Sequence, residues 1–180
     1  MGLESLEAEI ASIRESATSV QRTYSQNVTS IQNDATLSDT GKSDQKADAY
    51  AHAKADLGAL RQREEAVINA AINSRKAIIE APTKPTASSI ISYRDAQDRT
   101  DRIADADEAK ALIERALRQD DLYLAHAIFD RATQERWHGV AQVFTHAKPE
   151  YADTVRELQT LIDTRDAGLE RTMQYAIFAS

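Results

Sequence analysis

The residues best suited to chemistry are few. Glu135 and His138 form the one E-x-x-H in the chain, a spacing that sets a carboxylate and an imidazole on one face of a helix. Di-iron bundles use that spacing twice and add two further Glu from facing helices. The second copy is missing here, so the pair reads as an ordinary surface pair. His138 and His146 stand two turns apart on one predicted helix, about 12 Å by the helical rise, too far to share an ion. His52 and His126 complete the histidines, and no Ser stands in a G-x-S-x-G elbow. Gly2, Gly41, Gly58, Gly139 and Gly168 are isolated, so none begins a phosphate-cradling loop. With no cysteine there is no thiolate, disulfide or thiol ligand. We therefore assign no catalytic, cofactor-binding or metal-binding residue, and expect a non-enzyme that needs no cofactor and takes no small-molecule substrate.

Charge narrows the partners further. The chain carries −7 over 180 residues, and the four stretches 1–33, 34–80, 81–120 and 121–180 are each net negative. Direct binding to nucleic acid or to an anionic membrane surface needs a basic face, and none is present. No uncharged apolar run reaches membrane-span length. The opening MGLESLEAEIASIRE mixes charge with apolar residues where a signal peptide would place a basic and then an apolar region.

The elements left to position anything are helices. Few aromatic residues, five Gly and three Pro beside abundant Ala, Glu, Gln, Arg and Asp favour helix over strand. From Leu3 the apolar positions run Leu3, Leu6, Ile10, Ile13, Ala17, Val20, Tyr24, then Asn27 or Val28, and Ile31, the 3,4 alternation of a coiled-coil seam, with Asn27 as its polar intruder. A loop is expected at about 33–38, with Ser38 capping the next helix and Leu37 just before the cap. A second heptad stripe follows through Tyr50, Ala53, Leu57, Leu60, Val67, Ala71 and Ile78, interrupted by Glu64 and Ser74. Two such helices on a short loop bury their stripes by folding back as an antiparallel hairpin. The second is longer by about ten residues, roughly 15 Å, and that surplus needs cover from the C-terminal half or another chain.

Pro82 and Pro85 in APTKPTASS mark the one clear break. The expected organisation is a coiled-coil helical hairpin over 1–80, a Pro-containing linker over 81–88 and a small helical bundle over 89–180. Within the bundle, Ile90 and Ile91 open a helix whose Asp95 and Arg99, like Asp98 and Arg102, stand four apart on its outer face. Asp105 with Glu108 makes a capping box for a helix from about 106. Asp120 or Asp121 caps a helix running through Phe129 and Trp137 to Phe144. Pro149 opens a last helix whose apolar side holds Tyr151, Val155, Leu158, Ile162, Leu169, Met173 and Ala176. Trp137 is a candidate interface anchor, although its wide apolar arc points more strongly to a core role. The seam residues of the hairpin, Leu3, Leu6, Ile10, Ile13, Val20, Tyr24, Ile31, Tyr50, Leu57, Leu60, Val67 and Ile78, are the candidate interaction surface, and homo-oligomerisation through them is expected.

The stretch ALIERALRQDDLYLAHAIFDRATQERWHGVAQVFTHAKPEYADTVREL, from Ala111 to Leu158, resembles small helical proteins encoded among the virion structural genes of tailed actinobacterial phages. LSDTGKSDQKADAYAHAKADLGAL, from Leu37 to Leu60, is similar to the loop-plus-helix opening of such proteins. The resemblance implies a structural or assembly protein of the phage head or neck, found in the virion and the host cytoplasm, with other virion or assembly proteins as partners. A scaffolding protein absent from the mature particle, and a cytoplasmic bacterial helical adaptor or regulatory module, are the alternatives.

Overall fold

A computed structural model of the chain describes residues 2–83, 86–87 and 89–177. Lys84, Pro85 and Ser88 of the expected 81–88 linker lie outside the described residues. Every regular element among those described is helical, so the protein is all-α: α1 (Leu3–Asn33), α2 (Asp39–Glu80), a 3₁₀ turn (Ala81–Thr83), α3 (Ile90–Thr100), α4 (Ala106–Arg118), α5 (Leu122–Gln134), α6 (His138–Ala147), a second 3₁₀ turn (Pro149–Tyr151), α7 (Ala152–Asp166) and α8 (Gly168–Gln174).

The helix boundaries follow local chemistry. Ser38 Oγ accepts from the Gly41 N–H at 3.1 Å and starts α2. Asp105 accepts from the Asp107 and Glu108 amides at 3.0 and 2.9 Å, while Glu108 reaches back to the Ala104 amide at 2.8 Å, a reciprocal cap for α4. Asp121 rather than Asp120 caps α5, through the Leu124 amide at 3.1 Å. Asp120 instead makes the reversal after α4, at φ 55°.

The chain groups into two compact units, Met1–Ala71 with Asp163–Ser180, and Ile72–Ile162. This differs from the sequence-based division at 1–80, 81–88 and 89–180, for two physical reasons. α2 continues unbroken past the end of its first unit, and the segment after Asp163 packs with the first two helices.

In the first unit, side chains of α1 and α2 meet at several points along the two helices. Glu9 pairs with Arg63 at 3.8 Å and Arg14 with Glu64 at 2.7 Å. The Tyr24 and Tyr50 rings meet edge-on at 6.3 Å, and Gln32 bonds Lys42 and Lys46 near the loop. Leu6, Ile10, Ile13 and Ala17 of α1 are buried, as are Ala53, Leu57, Ile68 and Ala71 of α2. Of the expected stripe of α2, Ala53, Leu57 and Ala71 are buried and Leu60 is half-buried, Tyr50 is 45% exposed, and towards the end of the helix the stripe drifts. Ile68, Ile72 and Ile79 are buried, whereas Val67 is half-buried and Ile78 is 52% exposed. A straight α-helix turns about 20° per heptad away from a strict seven-residue repeat, enough over three heptads to rotate Ile78 out and Ile79 in.

In the second unit, α5 lies against α3, α4 and α6, and α4 also packs on α6. Ile103, Ile113, Leu124, Ile128, Phe129, Val140, Phe144 and Leu158 form its apolar interior. The last turns of α2 are held here by Arg75 on Glu157 at 3.0 Å and Lys76 on Asp130. The expected continuous helix from 121 to 144 is instead two helices, broken at Glu135–Trp137. Arg136 adopts φ 60°, and the Trp137 amide bonds back to the Ala132 carbonyl at 2.8 Å. The final helix is likewise split, at Ala167; on α8 the expected inward residues Leu169 and Met173 are 78% and 56% exposed, while Arg171 and, just past the helix, Tyr175 are buried.

Candidate functional site

The most organised polar cluster in the first unit centres on Glu64, which sequence reasoning treats only as an interruption of an apolar stripe. Its place in that stripe puts it on the inner face of α2, where it is fully buried. A carboxylate so placed needs partners to offset its lost hydration, and three residues supply them. Arg14 of α1 donates through Nε and Nη2 to Oε1, at 3.2 and 2.7 Å. The Tyr175 hydroxyl, just past α8, donates to Oε2. Arg171 of α8 brings its Nε to 3.9 Å from Oε1 and donates through Nη1 to the Arg165 carbonyl at 2.7 Å. Burial, then the hydrogen bond to Glu64, pushes the Tyr175 phenol well above its usual range, so it stays protonated as the donor.

Two amide side chains hold the same segment. Gln21 Nε2 donates to the Gln174 and Ala176 carbonyls at 3.1 and 2.7 Å, and Gln174 Nε2 to the Arg14 carbonyl at 3.2 Å. The Tyr175 ring sits with Ala17 and Leu57, and Val20, Leu60 and Ile177 pack around them. Part of the seam expected to await a partner is thus filled by the chain's own C-terminal segment.

The rest of the seam is covered unevenly. Leu6, Ile10, Ile13 and Leu57 are buried; Leu3, Val20, Tyr24, Ile31, Leu60 and Val67 are half-buried; Tyr50 is 45% exposed. Beside it runs an open groove of about 550 Å³ between α1 and α2, with Val20, Tyr24 and Ala53 among its walls and Asn27, His52 and Asp56 among its polar groups. Trp137 lies at the start of α6, half-buried, with the Arg131 guanidinium over its ring at 5.6 Å. Glu135 and His138 end up on opposite sides of the break between α5 and α6, so they do not share a helix face. Among the described residues no group of three or more His, Asp or Glu is placed to hold a metal. No described helix is long and apolar enough to cross a membrane.

The second unit holds one unusual ionisable group. His126 is buried, its ring edge-on to Phe144 at 5.3 Å and to Tyr151 at 6.3 Å, and its Nδ1 has no hydrogen-bond partner among the described residues. It lines a cavity of about 150 Å³ with Glu80, Tyr93, Gln97, Tyr123 and Asp130. Burial, with a smaller contribution from the Lys148 charge, depresses its pKa from 6.5 to about 4. Because the unfolded chain binds this proton more readily than the folded one, stability is greatest above pH 6.5 and falls as the pH drops towards 4. The expected loss across that window is at most about 3 kcal/mol. Urea denaturation at pH 7.5, 5.5 and 4.5 checks it: a His126→Gln variant should show a flatter pH dependence than wild type, and parallel curves would contradict the assignment.

Fold and site together define an all-α protein whose two long helices carry a partly open apolar seam and a buried ion cluster. Comparison with family models, curated proteins and solved structures finds no match to the chain.

Proposed function

We propose that this chain is a non-enzymatic structural or assembly protein that acts through helix-mediated protein–protein contacts, with α1 and α2 as a coiled-coil hairpin and the helices after it as a compact body. The resemblance of residues 111–158 to phage virion-region proteins directs the proposal to the head or neck of a tailed phage. The observation that carries the contact role is the unevenly covered seam. Val20, Tyr24, Ile31 and Leu60 are only half-buried, Tyr50 is exposed, and a groove of about 550 Å³ opens beside them. A helix from another molecule laid there would remove apolar surface from water, at roughly 25 cal/mol per Å², and the acidic, evenly charged exterior supplies a polar rim.

Self-association is the first test. Light scattering at tens of micromolar should show a mass above the monomer that falls with dilution, and Tyr50→Glu, a change at an exposed seam position, should shift the protein towards monomer by about tenfold in dissociation constant. A wild-type chain that stays monomeric would remove self-assembly from the proposal. The particle assignment is tested separately. The chain should be present in purified virions at a stoichiometry matching a symmetric ring or shell; recovery only from immature particles would make it a scaffold, and absence from both would end the phage reading.

A further inference from the structure

We propose that the α1–α2 surface around Glu64 is an exchangeable socket for the segment Ala167–Ile177, and that in assemblies the same segment of a second copy of this chain occupies it. The proposal rests on the reading of α1 and α2 as an assembly surface and names the partner chemistry that surface selects.

The socket recognises a short pattern. A fully buried carboxylate accepts from the Tyr175 phenol on one oxygen and has the Arg171 guanidinium 3.9 Å from the other. Four residues apart, they project from one side of a helical turn. An Arg followed four positions later by Tyr occurs once in the chain, so the segment that fits is defined by sequence and is carried by every copy. Apart from the Arg171 Nη1 bond to the Arg165 carbonyl, which lies outside the segment, the remaining contacts are transferable. Gln21 reads the Gln174 and Ala176 carbonyls, Gln174 reads the Arg14 carbonyl, and Ala17 and Leu57 take the Tyr175 ring. All of these receiving groups lie on α1 and α2, and none requires the segment to be joined to the same chain.

The resident segment is also built to leave. α8 has seven residues and is separated from α7 by a break at Ala167, well below the length at which a helix holds itself. Gly168 follows that break, with open space where a side chain would stand. Although buried, Arg171 leaves its Nε and Nη2 without a hydrogen-bond partner among the described residues, a penalty that weakens the resident seat relative to a fully satisfied one. The outward face of α8 carries Leu169 and Met173, both exposed. Against this, covalent connection gives the resident segment an effective concentration near the millimolar range. Exchange is therefore expected where copies are crowded, as they are in an assembling shell or ring.

Hydrogen exchange on the full-length chain at low concentration supplies the first readout. Amides of 169–175 should exchange through local opening at least about tenfold faster than those of 57–68 in α2; equal protection would overturn the proposal. A fluorescent peptide of residues 163–180, added to the full-length chain, supplies the second. In a Tyr175→Phe chain, whose socket is untouched, the peptide should bind about tenfold more tightly than in wild type, and in a Glu64→Gln chain more weakly than in the Tyr175→Phe chain. Scrambled-level binding to the Tyr175→Phe chain would also overturn it, and if that variant does not fold, hydrogen exchange on the wild type decides. Excess peptide should dissolve dimers formed at about 100 µM chain. Dimers indifferent to the peptide would keep the assembly reading and reject exchange. A peptide that binds while the chain forms no dimer would reject the second copy as occupant.

Discussion

Replacing Glu64 with Ala is expected to lower the unfolding free energy of the protein by about 3–5 kcal/mol, because breaking a buried ion cluster from one side leaves its cations uncompensated. Arg171 would be left buried without the Glu64 carboxylate, Arg14 would lose two hydrogen bonds, and the Tyr175 hydroxyl would lose its acceptor. Urea denaturation followed by circular dichroism measures the loss, and faster hydrogen exchange in 168–176 locates it. Glu64→Gln keeps an acceptor for Tyr175 and Arg14 while removing the charge, so it should fall between Ala and wild type. A loss under about 1 kcal/mol for Glu64→Ala would mean that the cluster behaves as an exposed ion pair, and the account of how the C-terminal segment is held would then be wrong.

Phe144→Ala is expected to be comparably damaging, at about 3–5 kcal/mol, for an unrelated reason. Phe144 is fully buried in the second unit, stacked on Phe129 at 4.4 Å and on Tyr151 at 6.0 Å, with His126 at its edge. A close-packed interior does not collapse to fill the space of a lost ring, so dispersion contacts go along with the transfer term. The cavity should also admit water to His126 and raise its pKa from about 4 towards 6.5. Chemical denaturation gives the first quantity, and NMR titration of the imidazole gives the second. An unchanged His126 pKa in the variant would show that the aromatic contacts are not what desolvates it.

Both changes act on features that the sequence displays with very different clarity. Phe144 belongs to a wide apolar arc and is an expected core residue; its partners are not named by that arc, but its burial is. Glu64 carries one faint sign, a charged residue at a heptad position between Leu60 and Val67. On its own that sign is equally consistent with a solvent-facing interruption. The difference came from Arg171 and Tyr175, more than 100 residues away in the chain. The same holds for the candidate surface. Its seam residues are legible from spacing, yet which part is open depends on where the C-terminal segment lies.

What the sequence determined by itself was the helical class, the loop before Ser38, the cap at Asp105, and a cap at Asp120 or Asp121. Each is decided within about four residues, by side-chain oxygens meeting orphan amides and by the turn-to-turn spacing of apolar side chains. Tertiary structure decided the breaks at Glu135–Trp137 and Ala167, and the seating of Arg171 and Tyr175 where Leu169 and Met173 were expected to point inward. Those outcomes turn on which distant surfaces compete for the same face. A buried carboxylate that must be neutralised can outweigh the exposure of two apolar side chains, and no local pattern records that competition.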